Sequence, residues 1–360
     1  MIVSTTDFQA ATKLLDRVPL RGGIQSSEYV RLDISKKGIF SLSLASDLIG
    51  HAEVPIQDPM PGRFFIERKL LFPWIRAACG KQIILTLKDQ FLLLKEGRRQ
   101  VTYANIPEIK GYAQAPPTQE RDLHIDQSLF EDLRLAAKYA ASDHLAPELN
   151  CIWLDQKTGT ITATNQFSLY QAEVKTESTG PIPPAFPDLL DVAAKVTASD
   201  EGCRISYGRS YLFQLFSEKA ISDFPLKRIH ATMAEAKKWQ TRLQVPGRAL
   251  IDVLDRLGGY VAGSSSDETM ISATAEEGKP VLTLATSALQ GSFRESLKLP
   301  KPAQTSWTAE WLLPSLKPFL ERLDPNDTLS LQWDDSTPYL FATKTRSLLS
   351  PRKVTAVKKK

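Results

Sequence analysis

Three stretches of the chain place apolar residues at helical spacing, and strand-like alternation follows each. From Phe8, "FQAATKLLDRV" puts Phe8, Ala11, Leu15 and Val18 on one face. In "SLFEDLRLAAKYAA", Leu129, Leu133, Ala136 and Ala140 stand at i, i+4, i+7 and i+11. The third, "RALIDVLDRLGGYV", begins at Arg248. A short phrase then recurs: "FSLSLASDLIGHAEVP" from Phe40, "TITATNQFSLYQAEVK" from Thr160 and "LTLATSALQGSFRESL" from Leu282. Each alternates, reaches Ala followed by Ser or Thr, breaks, and resumes as a second extended run. The anchors Ala45, Ala163 and Ala285 lie 118 and then 122 residues apart. Downstream of each phrase is a second helix candidate: "ERKLLFPWIRAA", "FPDLLDVAAKV" and "AEWLLPSLKPFLERL". Pro73, Pro314 and Pro318 should shorten or kink two of these. Alternating strands close each copy.

Four element types in the same order three times imply three similar domains. Each is read as two helices on a mostly antiparallel sheet, an α+β class. Copies of about 120 residues exceed the roughly 20–50 of solenoid repeats. A chain of 360 residues is too long for one ordinary core and suits this division. The expected domains are 1–118, 119–238 and 239–345, with a basic tail over 346–360. "GYAQAPPTQERD", Gly111 to Asp122, is Pro-rich and polar and reads as the first linker. "HATMAEAKKWQTR", His230 to Arg242, reads as the second.

Composition narrows the class. Hydrophobic content of 42% and charged content of 24% fit a soluble globular protein. No apolar run approaches the ~20 residues of a membrane span. The start, "MIVSTTDFQAATKLL", lacks the pattern of a signal peptide. Cys79, Cys151 and Cys203 are scattered and offer no disulfide framework, so a reducing cytoplasm is expected. The net charge of +4 conceals an asymmetry. No acid follows Asp335, whereas seven cations do, which leaves −3 for the rest.

The motif search finds no catalytic site. Walker loop, dinucleotide fingerprint and zinc-protease motif are missing. His51, His124, His144 and His230 are far apart in sequence, and no cysteine pair has ligand spacing. No nucleophile elbow marks a hydrolase. Asp334-Asp335 and Asp252/Asp255 read as a solvated turn and helix face. No enzyme activity, metal or cofactor is expected.

Charge on the helices remains. Lys13 and Arg17 are four residues apart and lie off the apolar face of the first helix, with Arg21 following. Arg134 and Lys138 repeat that spacing in copy two, and Arg248 and Arg256 bracket Asp252 in copy three. The second helices are expected to carry Lys69 and Arg76, then Lys195, then Lys317 and Arg322. One such residue is usually a solvated face. Six basic helices turned to one side would form a stripe that fits a phosphate backbone.

Three tandem copies of this unit resemble the bacterial β sliding clamp, the processivity subunit of the replicative polymerase. The resemblance spans nearly the whole chain and stops near Thr345. It is strongest in "PELNCIWLDQKTGTITATNQFSLYQAEV". There Ala163, Thr164 and Leu169 match the family's Ala-Thr-Asp-Gly-His-Arg-Leu motif, and Asn165, Gln166, Phe167 and Ser168 depart from it. Phe224-Pro225 match the start of its Phe-Pro-Asp-Tyr turn. The resemblance implies a head-to-tail homodimeric ring with helices lining the hole. It implies sequence-independent contact with duplex DNA through the twelve cations above. It implies a peptide pocket of Leu149, Thr164, Leu169, Pro225, Ile229 and Leu340, which takes short apolar motifs of DNA polymerase and clamp loader. It implies a dimer interface of Val101 and Tyr103 with Tyr260 and Val261. The alternative is a clamp-fold module that recruits or decoys replication partners without being loaded on DNA. The tail is expected to be disordered. It should add attraction to DNA rather than cover the pocket through Leu348 and Leu349.

Overall fold

Helix, strands, helix, strands recur three times along the chain. The structure is a computed structural model. It describes residues 1–88, 90–106, 108–112, 121–141, 146–190, 195–199, 201–216, 223–261, 270–288, 291–324, 326–333 and 339–350, with the backbone alone at 242, 258–261, 288, 312 and 339. Copy one runs β1 (Ile2–Ser4), α1 (Thr5–Leu15), α2 (Gln25–Glu28), β2 (Tyr29–Ile34), β3 (Ile39–Ala45), β4 (Leu48–Gln57), β5 (Gly62–Glu67), α3 (Arg68–Arg76), β6 (Gln82–Lys88), β7 (Phe91–Glu96) and β8 (Arg99–Ala104). Copy two runs β9 (Arg121–Asp122), α4 (Gln127–Ala137), β10 (Ile152–Asp155), β11 (Thr160–Thr164), β12 (Leu169–Glu173), β13 (Gly180–Ile182), α5 (Phe186–Leu189), β14 (Lys195–Ala198), β15 (Gly202–Tyr207) and β16 (Ser210–Leu215). After α6 (Leu226–Ala236), copy three runs β17 (Thr241–Pro246), α7 (Gly247–Val261), β18 (Met270–Ala275), β19 (Val281–Ala288), β20 (Gly291–Lys298), β21 (Trp307–Leu312), α8 (Leu313–Leu320), β22 (Thr328–Gln332), β23 (Tyr339–Ala342) and β24 (Arg346–Ser350).

The recurrent phrase is one hairpin made three times. Ala45 pairs opposite Ile49 in β3–β4, Ala163 opposite Tyr170 in β11–β12, and Ala285 opposite Arg294 in β19–β20. Each hairpin extends through a third antiparallel strand, β2, β10 or β18. On the far side of that strand lies β5, β13 or β21. The last three strands of each copy form a second meander, bordered by the copy's first strand. The copies are then stitched together by ladders. In β4–β16, Phe213 faces Ile49; in β12–β24, Leu169 faces Leu349 and Ala172 faces Arg346. β8 and β20 instead stand at the ends of their sheets.

These ladders define two compact units, residues 1–124 with 188–216 and residues 125–187 with 217–360. The β14–β16 meander therefore groups with copy one. In the first unit the face expected for α1 is the face buried: Phe8, Ala11, Leu15 and Val18 all enter the core. Phe8 meets Phe40 edge-on at 5.2 Å. The helix lies so close to β4 that a Cβ on Gly50 would sit 2.7 Å from both Leu15 and Val18. In the second unit Leu129, Leu133 and Ala136 of α4 are buried as expected. Tyr139 stacks on Tyr170 at 5.4 Å, and Phe319 of α8 meets Tyr170 edge-on.

Three expectations need correction. The segment His230 to Arg242 is not a linker. It holds most of α6 and the start of β17, because Ile229, Met233 and Ala236, spaced by four and three, give α6 a buried stripe. The helix expected from Phe186 ends at Leu189, and Lys195 opens β14 instead. The stretch from Arg346 does not leave the fold as a tail. Arg346–Ser350 are β24, with Ser347 to Ser350 buried between β12 and β23. Residues 351–360 lie outside the described residues. Pro73 and Pro318 lie inside α3 and α8, which are 9 and 8 residues long.

Candidate functional site

The twelve cations divide sharply by what surrounds them. Eight are paired with carboxylates: Arg21 with Asp47, Lys69 with Glu67, Arg76 with Asp16, Lys195 with Asp122, Arg248 with Asp252, Arg256 with Glu295, Lys317 with Asp255 and Glu321, and Arg322 with Glu131. The hydrogen bond that Lys69 donates to Glu67 raises the lysine's pKa. Arg256 Nε donates to Glu295 at 3.0 Å; the bond raises the arginine's pKa and lowers the glutamate's. Hydrogen bonding from Gln127, then the charge of Arg322, holds Glu131 below the usual carboxylate range.

Of the other four, Lys13 lies on α1, Arg17 just beyond its C-cap Asp16, Arg134 on α4 and Lys138 at the C-cap of α4. Arg17 Nη1 donates to the Leu189 carbonyl and to Tyr207 Oη, each at 3.0 Å. Its guanidinium lies 5.9 Å from the Tyr207 ring centroid. Lys13, Arg134 and Lys138 are exposed, and among the described residues no carboxylate pairs with them. The helical spacing that made the two pairs visible in the sequence also keeps them on the solvent side of buried Leu15 and Leu133.

Four of the six pocket residues converge in the second unit. Leu149, Leu169, Ile229 and Leu340 belong to one buried cluster, together with Cys151, Phe224, Met233 and Leu349. Trp153 stacks on Phe224 at 5.2 Å. Burial in this apolar setting pushes the Cys151 thiol up to about 12. Pro225 caps α6 at the edge of the cluster. Thr164 stands at the adjacent hairpin, where its Oγ1 donates to the Ser168 carbonyl at 2.9 Å. In that loop Asn165 Oδ1 accepts from the Phe167 and Ser168 amides at 3.1 and 2.8 Å. Gln166 adopts the left-handed φ of 74°. The turn holds Phe167 outward at 74% exposure, the most exposed large apolar side chain among the described residues.

Sequence reasoning missed Phe224, Met233 and Leu349 as cluster members. The periodicity of α6 and the paired leucines in "RSLLS" were the available signals. A separate cavity of about 860 Å³ lies along another face of α6, lined by Asp126, Glu173, Lys175, His230, Lys237 and their neighbours. Its two lysines and two carboxylates balance.

The four interface residues are not equivalent. Val101 is half-buried on β8, which is a sheet end. Tyr103 points inward, belongs to the core of copy one, and donates to the Leu70 carbonyl at 3.2 Å. Burial pushes its hydroxyl up to about 12. Tyr260 and Val261 end α7, and their side chains lie outside the described residues.

No protein-family model matches the chain, and no curated protein matches it in sequence. Among solved structures it is similar to bacterial sliding clamps over nearly its whole length. A DNA polymerase sliding clamp from Bacillus subtilis superposes with a TM-score of 0.79 at 12% identity, covering 98% of each chain. A putative DNA polymerase III beta subunit from Eubacterium rectale gives 0.79 at 10%, again over 98% of each. A sliding clamp from Bartonella birtlesii bound to griselimycin gives 0.76 at 16%, covering 98% of this chain and 99% of that one. The chain therefore has the fold of the DNA polymerase III beta subunit.

Proposed function

We propose that this clamp-fold chain works as a DNA sliding clamp, a head-to-tail homodimer that closes around duplex DNA and tethers the replicative polymerase. One observation carries the reading. The hairpin strand β4 of copy one pairs with the last strand of copy two, and β12 of copy two pairs with the last strand of copy three. Among the described residues, the same rule leaves β20 without a last strand and β8 without a hairpin strand. A second chain supplies both, and a heterologous contact that repeats twice closes on itself. Closure also removes the two exposed edges. Such an interface falls in the standard range of roughly 1,200–2,000 Å². β8 takes part through its edge and Val101 rather than through Tyr103.

Within the ring, Lys13, Arg17, Arg134 and Lys138 are the principal phosphate contacts, since among the described residues no carboxylate competes for them. The other eight contribute where a phosphate displaces an acid, and surface ion pairs hold with only about 0–1 kcal/mol. Contacts of this kind position DNA without reading its sequence. The cluster around Leu169 and Phe224, with Phe167 beside it, receives short apolar motifs of the polymerase and the clamp loader. No catalytic group is required.

The eight paired cations favour a second reading, a recruiting module that is never loaded on DNA. Primer extension on a primed circular template, with the host's polymerase and loader, separates the two. The clamp reading expects products lengthened at least tenfold by the protein. Unchanged length from intact dimers would select the recruiting module.

A further inference from the structure

We propose that the cavity of about 860 Å³ beside α6 is a second docking site, which takes an extended segment of a partner protein carrying acid, base and acid at alternate positions. None of the residues lining it belongs to the apolar cluster around Leu169 and Phe224, so this site stands or falls apart from that one. Its volume lies within the roughly 300–1,000 Å³ of ligand sites.

Hydrogen-bonding groups that nothing uses are the first observation. Gln171 of β12 lines the cavity and is 7% exposed. Lys237 Nζ donates to its Oε1 at 3.2 Å. An ammonium can only donate, so this contact fixes the amide and leaves Nε2 as a second donor. Among the described residues no acceptor meets that Nε2. His230, also in the lining, keeps its own Nε2 out of water and without a partner among the described residues. Buried polar groups left unpaired are costly, and a polar ligand relieves them.

The order of charge is the second observation. Asp126 is already engaged: its Oδ1 accepts from the Leu129 amide at 2.7 Å, and the carboxylate caps α4, where a helix start favours it. Lys237, Glu173 and Lys175 remain. All three are exposed, and among the described residues no opposite charge pairs with them. Gln171, with Lys237 upon it, and Glu173 share one face of β12, about 7 Å apart, and Lys175 follows beyond the strand. The lining therefore reads positive, negative, positive. An extended segment turns every second side chain to one side at the same spacing. Acid, base and acid then meet Lys237 with Gln171, Glu173 and Lys175 in turn. Duplex DNA fits less well, because it brings only negative charge, one per ~1.7 Å of axis, against Glu173.

Two labelled, end-blocked pentapeptides test this on the full chain: Glu-Ser-Lys-Ser-Glu and its charge reversal, Lys-Ser-Glu-Ser-Lys. The first should bind at least tenfold more tightly than the second. Lys237→Ala should weaken it about tenfold, the loss of one charge-assisted hydrogen bond. Reversing the lining with Lys175→Glu, Glu173→Lys and Lys237→Glu together should invert the preference between the two peptides. These side chains are exposed, and an unchanged thermal melt would show that the variants fold. No binding of the first peptide at millimolar concentration overturns the proposal. So does equal affinity for both peptides, or a preference that the triple variant leaves as it was. Displacement of the first peptide by a pentapeptide carrying Leu and Phe would place it on the apolar cluster instead, and displacement by an equimolar short duplex would make the cavity a phosphate site; either result contradicts the inference.

Discussion

Asp132 is 2% exposed, and a lone carboxylate there would be costly to bury. Arg346 meets it: Nε donates to Asp132 Oδ1 at 2.9 Å, and Tyr170 Oη donates to the same oxygen at 3.4 Å. Arg346 is the first residue of β24, so the pair ties that strand to α4. Removing one member of a buried pair strands the other charge, whereas removing both can be nearly neutral. Arg346→Met should therefore lower stability by about 3 kcal/mol. Combining it with Asp132→Leu should restore much of that loss. Urea unfolding of the two single variants and the double variant measures the coupling; strictly additive losses would mean that the pair carries no linked energy. Nothing in the sequence joined these residues. They stand 214 positions apart, and Arg346 looked like the first charge of a basic tail.

Among the helices, α1 and α4 differ from α7 in what their cations face. Arg134 and Lys138 have no carboxylate partner among the described residues, while Arg248 and Arg256 are bound to Asp252 and Glu295. Only unpaired cations release counterions in full when they meet phosphate. Arg134→Ala with Lys138→Ala should reduce the salt slope of DNA binding by about 1.8, at ~0.9 per contact. Arg248→Ala with Arg256→Ala should reduce it by clearly less. Fluorescence anisotropy across a salt series measures both, and equal reductions would contradict the distinction.

The helices were legible for the reason that makes them stable, a long apolar stripe of period 3.6. The hairpins were legible because each alternates and then breaks. Asp252, four residues from Arg248, was legible, whereas Asp47, Glu295 and Glu131 were not, since they approach their cations from other elements. Lys195 was misplaced because "FPDLLDVAAKV" has helical composition, whereas Val196 and Ala198 are buried in a sheet beside β15. Four of the six pocket residues meet in one cluster. The resemblance singled them out as a group; periodicity alone would have assigned them to ordinary core.

For the whole molecule, the proposed dimer accounts for two strand edges that the repeated ladder leaves open. A dimer should sediment with twice the 40.1 kDa mass of the chain at micromolar concentration. A monomer under those conditions would remove the basis for a ring. A ring held by topology rather than affinity makes a sharper demand. It stays on DNA that has no end and leaves DNA that has one, whatever the strength of its phosphate contacts. The direct measurement is to load the protein with the host's clamp loader and ATP onto singly nicked circular plasmid, pass it through a sizing column at moderate salt, and repeat after cutting the plasmid once. The sliding-clamp account predicts that the protein elutes with the circle and that at least nine-tenths is lost on linearisation. No retention on the circle, or equal retention on both forms, would contradict it.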